Sequence, residues 1–388
     1  AAEEKLRKCV AFVPPVLALC AVALLGCGPA APAKVRVGVF EPLTGVNAAG
    51  GSLEVEGIRL ANSLYPTVTI GGRVHPVVLD IADNKSDRVE AANAVERLID
   101  KDKAVAILGS WGSSLSMAAG SVVKDRRVPA IGMSCTNPLV TRGNEYYFRV
   151  CFIDTFQGTV MARYAVRQAG ARTAVIVHEV SSDYSVGLAK FFADAFKRLT
   201  GDERAILAEL DYVSGDQDFD AQLATIKALH PDLVFAPGNY TESALLIRQA
   251  RALGIRTPFL GGDTWETPAF IDMGKKAVEG AVFSTFFATE VPITPTSTTF
   301  LDAYRNQYHR EPVAVSALGF DGYLVLLDAI RRAGSLSGPK LRDALAMTKD
   351  FPGAAGMISF DAERNATKSA VIKTVKDGRF VYLATVQP

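Results

Sequence analysis

The chain has 388 residues, with 42 Lys plus Arg against 41 Asp plus Glu and four histidines. This near balance excludes a basic nucleic-acid face and an acidic tail, and no nucleic-acid partner is expected. The length exceeds what one compact core serves and suits two domains.

Taken in chain order, the first segment reads as an export signal. An apolar run from Val10 to Leu25 follows Lys5, Arg7 and Lys8 and ends in Leu24-Leu25-Gly26-Cys27. The run is shorter than the ~20 apolar residues a membrane span needs, and Pro14 and Pro15 interrupt it. Residues 1–26 are therefore expected to be a lipoprotein signal peptide, with Cys27 the lipid acceptor and residues 27–33 a flexible tether. That places the protein in the periplasm or at the cell surface, anchored to a bacterial membrane. Of five cysteines, Cys9 and Cys20 fall in the leader. Cys135 and Cys151 either pair, closing a loop of about 15 residues worth on the order of 3 kcal/mol, or remain separate thiols with one packed in the core.

From Lys34 onward short Val- and Ile-rich runs alternate with helical periodicity. Val35 to Phe40, Pro76 to Ile81, Ala104 to Leu108 and Val128 to Ile131 read as strands. Between them Ser86 to Asp102 carries Val89, Ala92, Val95, Leu98 and Ile99 at helical spacing, with Ser86 as N-cap. After a connecting stretch near Tyr147 to Asp154 the beat restarts. Thr173 to Val177, Ile206 to Leu210, Asp232 to Phe235 and Phe259 to Leu260 are strand candidates, and Asp183 to Leu199, Phe219 to Leu229 and Glu242 to Leu253 are helices. Ser297 to Tyr308, Val315 to Ala333 and Pro339 to Met347 look helical. The end returns to strands at Gly356 to Phe360 and Ser369 to Val386, with a turn at Asp377-Gly378. Strands alternating with helices build parallel sheets, so the expected fold is α/β with two lobes.

Catalytic patterns are scarce. No two histidines stand at metal-ligand spacing, and there is no Walker loop or dinucleotide fingerprint. Gly132-Met133-Ser134-Cys135-Thr136 lacks the second glycine of a nucleophile elbow. No enzyme activity, cofactor or metal is expected. Polar and small residues gather instead just past the ends of strands, where such sheets bind ligands. Gly109-Ser110-Trp111-Gly112-Ser113-Ser114 leads into a helix at Leu115 to Lys124, and Ser134-Cys135-Thr136-Asn137-Pro138 follows the next strand. Hydroxyls and free N–H groups at a helix start suit a carboxylate or phosphate. In the second set, Pro237-Gly238-Asn239-Tyr240 and Gly261-Gly262-Asp263-Thr264-Trp265 occupy the same kind of position, with Asp263 and the Tyr240 ring suited to an ammonium. Each cluster alone is an ordinary cap or turn. Four at one rim are not.

At these residues the chain resembles the type I substrate-binding proteins of branched-chain amino acid ABC transporters. The resemblance rests on Pro42-Leu43-Thr44-Gly45 with Gly51 and Gly57, Gly109 with Ser113-Ser114, Thr136-Asn137-Pro138 with Thr141, Phe148-Arg149 and Phe156-Gln157-Gly158. It continues through Asp183-Tyr184 with Gly187-Leu188-Ala189, Asp218-Phe219, Gln249-Ala250-Arg251 with Gly254, Gly261-Gly262-Asp263, and Tyr304 with Pro312. It implies two Rossmann-like lobes with parallel central sheets joined by a three-segment hinge. Lobe 1 would hold residues 34–154 and 285–360, and lobe 2 residues 155–284 and 361–388. Ser113, the Ser134 backbone and Thr136 would grip an α-carboxylate, Tyr184 and Tyr240 would close over the ligand, and Asp263 would take the α-ammonium. Trp111 would line the side-chain pocket, and Gly50 stands where some relatives carry an aromatic wall. Asn239 and Thr264 stand where the family often has tyrosine and glycine.

The ligand so implied is a small amino acid, branched-chain or otherwise aliphatic, with ABC permease subunits as partners. Rival readings keep the fold for an amide, urea-like or aromatic acid ligand, or make it a sensing module. Both tryptophans, Trp111 and Trp265, are expected to line the cleft.

Overall fold

The computed structural model describes residues 33–388, so the leader, Cys27 and the tether up to residue 32 lie outside the described residues. Val35, Val37 and Val39 put their side chains into the core of the first strand, β1 (Val35–Glu41). Around it form β2 (Thr67–Ile70), β3 (Arg73–Asp83), β4 (Ala106–Leu108), β5 (Ala130–Gly132) and β6 (Tyr147–Arg149), in the sheet order β2-β3-β1-β4-β5-β6. All pairs but β2 with β3 are parallel. Helices α1 (Ala48–Leu64), α2 (Arg88–Asp100) and α3 (Ser113–Arg126) make the crossovers.

A second sheet gathers β7 (Ala174–Glu179), β8 (Ile206–Tyr212), β9 (Leu233–Phe235), β10 (Phe259–Gly261) and β11 (Val282–Thr285) in parallel. It is flanked by α4 (Asp154–Arg167), α5 (Asp183–Thr200), α6 (Asp220–Leu229), α7 (Tyr240–Ala252) and α8 (Pro268–Gly274). From Thr285 the chain returns to the first sheet, where α9 (Pro295–Tyr308), α10 (Ala314–Ala333) and α11 (Gly338–Ala346) form, with a small hairpin of β12 (Phe351–Gly353) and β13 (Gly356–Ile358). It crosses once more to add β14 (Ala370–Lys376) and β15 (Arg379–Val386) antiparallel at the edge of the second sheet, giving the order β15-β14-β11-β10-β9-β7-β8. Asp377 and Gly378, both at positive φ, make the turn between these two strands. The fold is α/β with two sheet lobes. No helix among the described residues is long and apolar enough to cross a membrane.

Several expected details differ. Helix α2 is capped by Asp87, whose Oδ1 accepts the N–H groups of Val89 and Glu90 at 2.8 and 2.9 Å. Ser86 lies at φ 60° and its hydroxyl donates to the Thr44 carbonyl. An N-cap needs extended backbone, which Asp87 supplies and Ser86 does not. Val89 is exposed, because the buried stripe runs through Ala91, Ala94, Val95, Leu98 and Ile99. Cys135 and Cys151 are free thiols, both buried.

Helix α1 is absent from the expected elements, and it backs one wall of the site, with Gly50 under Trp111 and Glu54 holding Ser134. It packs along α10 at very short range, since a Cβ at Gly57 would fall within the Ser316 carbonyl and one at Gly319 within the Glu54 carbonyl. Glycines that weaken an isolated helix are here what lets two helices touch backbone to backbone.

Candidate functional site

A cleft of about 210 Å³ opens where the carboxyl ends of the two parallel sheets face each other. Its walls come from the segments at and just past the ends of β1, β3, β4 and β5 on one side and of β7, β8, β9 and β10 on the other. Such edges collect functional groups because the strands end there together and the next helices begin there.

On the first lobe, Gly112 holds φ 90°, a conformation open to glycine, and so turns the chain from β4 into α3. The first N–H groups of α3 lack intrahelical partners, and the helix dipole makes that end suit an anion. Ser113 and Ser114 line the cleft there, and the Ser113 Oγ also accepts the Asn137 N–H at 3.0 Å. The Ser134 hydroxyl, from the loop after β5, donates to a Glu54 carboxylate oxygen. Glu41 in turn accepts the Trp111 N–H at 2.6 Å. Burial, with Glu54 alongside, pushes the Glu41 carboxyl well above its usual range, and burial pushes Glu54 up to about 7. The loop from Ser134 to Asn137 is held from beneath by the fully buried Arg149, whose Nη1 donates to the carbonyls of Cys135 at 2.6 Å and Asn137 at 2.8 Å.

Trp111 lines the cleft as expected from its position, and its indole lies directly over Gly50. A side chain at Gly50 would overlap the ring. The missing aromatic wall at Gly50 and the large residue at Trp111 are therefore one arrangement seen from two sides.

On the second lobe, Asp263 is 2% exposed and its Oδ1 accepts two hydrogen bonds, from Gln157 Nε2 at 2.7 Å and from the Tyr184 hydroxyl at 3.0 Å. Burial raises its carboxyl to about 6, against the pull of these two donors. Gln157 also donates to Ser284 at 3.0 Å. Sequence reasoning places Gln157 in a motif but gives it no role. A glutamine among the apolar positions in the first turns of a helix is the signal that points to it.

The expected site residues divide. Trp111, Ser113, Ser134, Tyr184 and Asp263 line one cleft, whereas Thr136 and Tyr240 do not. Thr136 is fully buried behind the wall, and its carbonyl accepts the Asp154 N–H at 3.0 Å. Tyr240 begins α7, and its hydroxyl donates to the Val46 carbonyl of the other lobe at 2.8 Å. The cleft position beside it belongs to Asn239, the N-cap of α7, which also reaches across to the Val46 carbonyl at 3.2 Å and to Asn47 at 3.0 Å. Both side chains thus reach the opposite lobe, but only the cap, Asn239, lines the cleft. Trp265 is also not a lining residue. It is fully buried in the second lobe, stacked on Phe270 at 4.8 Å.

The lobes meet over the cleft through further contacts. Arg88 pairs with Asp183 at 2.8 Å, the Asp183 N–H donates to the Ser114 hydroxyl at 3.0 Å, and the Asn137 amide donates to the Asp183 carbonyl at 2.7 Å.

Two open parallel sheets, linked by a chain that passes between them three times and enclosing a polar cleft between their carboxyl edges, define a two-lobed solute-binding protein. The chain belongs to the periplasmic binding protein family, whose model matches residues 34–379. These are solute-binding proteins of ABC transporters and not enzymes. Among solved structures, the leucine-binding protein LivK of Thermotoga maritima is 40% identical, with a TM-score of 0.87 over 91% of this chain and 99% of that one. The branched-chain amino acid transporter substrate-binding protein LivJ of Streptococcus pneumoniae, in complex with isoleucine, is 32% identical, with a TM-score of 0.84 over 92% of this chain and 100% of that one. An amino acid binding protein of Pseudomonas aeruginosa is 32% identical over 250 residues, 64% of this chain and 65% of its own length.

Proposed function

We propose that the protein captures a small α-amino acid outside the cytoplasm and delivers it to the permease subunits of an ABC transporter. The observation that carries this is the pairing of opposite ends in one small cleft. A buried carboxylate, Asp263, accepts hydrogen bonds from the neutral donors Gln157 and Tyr184, and the start of α3 with Ser113 offers an anion-binding wall. A zwitterion satisfies both, whereas a simple carboxylic acid would leave Asp263 buried without a cation, at a cost of several kcal/mol. The leucine-binding and isoleucine-bound relatives support the amino-acid class, and kinship alone points to an aliphatic side chain.

Residues 34–154 with 285–360 act as one lobe and 155–284 with 361–388 as the other, hinging at the three crossovers so that the ligand is trapped between them. Trp111 is then the single tryptophan in the cleft. Saturable quenching or shift of emission on titrating amino acids should persist in Trp265→Phe and vanish in Trp111→Phe. A response that follows Trp265 instead, or no change in emission or melting temperature with any amino acid, overturns the reading.

Lipid attachment at Cys27 supplies the membrane tether. Mass spectrometry of the N-terminal peptide from membranes of the native host should find Cys27 diacylated, and Cys27→Ser should release the protein from them. An unmodified Cys27 on membrane-bound protein sinks this part.

A further inference from the structure

The cleft holds a second carboxylate. Glu179 ends β7 and lines the same cavity as Asp263, although it is only 8% exposed. Its Oε1 accepts the Ser181 hydroxyl at 2.7 Å, and its other oxygen takes no hydrogen bond among the described residues. Arg88, the cation of this rim, is engaged by Asp183 at 2.8 Å and by the Ser181 carbonyl at 3.1 Å. Burial raises the Glu179 carboxyl above its usual range and the negative charge of Glu242 adds to the rise, while the Ser181 hydrogen bond and the Arg88 charge pull against it.

The sheet register fixes how the two carboxylates relate. Leu260 on β10 pairs with Phe235 on β9, and Phe235 pairs with Ile176 on β7. Asp263 and Glu179 each lie three residues beyond that common level. They stand at the same height on the same edge, two strand spacings apart, or about 10 Å between backbones. Trp111, Leu115, Val46 and the Tyr184 ring provide apolar surface in the same cavity, and Asn239, Thr264 and several serine hydroxyls stand beside it.

We infer that Glu179 is a specificity-determining residue, and that the preferred ligand is an amino acid whose side chain carries a nitrogen donor, an amide or a cationic group, across the cleft to it. This rests on the amino-acid reading above and departs from what kinship suggests for the side chain. The apolar stem lies on Trp111 and Leu115, and the tip meets the free Glu179 oxygen. An aliphatic side chain would leave that oxygen desolvated without a donor, and an acidic one would bring like charges together.

Calorimetric titration of the purified, ligand-free protein with L-glutamine, L-lysine, L-leucine and L-glutamate tests it. Glutamine or lysine should bind at least about tenfold tighter than leucine and glutamate, the cost of one buried unpaired group. Glu179→Gln, which keeps the shape, should shrink that preference by about tenfold while leaving leucine binding within about twofold. The glutamine-to-glutamate ratio on the unaltered protein provides the same test without relying on a folded variant. Leucine as the tightest ligand, or a preference unchanged in Glu179→Gln, overturns the inference and leaves the amino-acid reading standing. Failure of all four to bind overturns the inference, and only failure of every amino acid in the fluorescence titration removes the amino-acid reading with it.

Discussion

Asp263→Ala weakens amino-acid binding by more than about tenfold, measured by calorimetry at pH 7.5, because the ligand ammonium then sits in a closed cleft with no counter-charge. Asp263→Asn separates charge from shape, since its amide oxygen still accepts from Gln157 and Tyr184. It should lose affinity to a similar extent yet melt at a higher temperature than the unaltered protein without ligand. The sign follows from the shift. The carboxyl ionises at its ordinary 3.8 in the unfolded chain and at about 6 in the fold. Between those values the folded state holds the extra proton, so stability falls as pH rises through that window. The ionised carboxylate then costs on the order of 3 kcal/mol at neutral pH. An ammonium ligand offsets that cost. Affinity should therefore drop by about tenfold from pH 7 to pH 5 in the unaltered protein and stay flat in Asp263→Asn. Full affinity in Asp263→Ala would show that the ammonium is held elsewhere.

What the sequence displayed and what it hid follow one physical line. The β1, β7 and β9 strands announce themselves because their residues are buried on both faces and must be apolar in a nearly unbroken run. The polar clusters past β4, β5, β9 and β10 were legible because Ser, Asn, Asp and Gly crowded after an apolar run put donors, acceptors and tight turns at the one sheet edge that ligands can reach. Helix α1 was hidden, since Gly50, Gly51 and Gly57 argue against a helix by propensity, and only the Trp111 ring over Gly50, Pro42 against Gly51 and the backbone of α10 against Gly57 account for them. β6 read as a connection and α4 was not anticipated, because their buried faces carry Arg149, Asp154 and Gln157, polar residues that break the apolar pattern; Gln157 finds its partner Asp263 only in the folded chain. Tyr240 and Asn239 show the finest grain at which pattern fails. Both are plausible cleft residues by chemistry and both reach the other lobe, and only the helix start, with Asn239 as cap, decides which of them also lines the cleft.

The unaltered protein should also lose stability as pH rises from 5 to 8, and most of the loss above pH 6 should belong to Glu41 and Glu54. Both are fully buried, and Glu41 Oε1 and Glu54 Oε2 find no partner among the described residues. Two carboxylates side by side in low dielectric cannot both ionise, so a proton held between them supplies the missing donor. Glu54 ionises at its ordinary 4.5 in the unfolded chain and near 7 in the fold. The fold therefore binds the extra proton between these values, and stability declines as pH rises through them, by on the order of 3 kcal/mol from this group. Glu54→Gln carries its donor permanently and can still accept from Ser134. Its melting temperature should be nearly independent of pH from 6 to 8 and exceed that of the unaltered protein at pH 8. Glu54→Ala removes the donor and the Ser134 partner together and should melt lower at every pH, because Glu41 is left buried beside a void. A flat profile from 6 to 8 in the unaltered protein would mean that both carboxyls are already ionised, each with a cation or donor of its own. The pair matters to the cleft because it holds two parts of one wall: Glu41 fixes the Trp111 backbone and Glu54 the Ser134 hydroxyl.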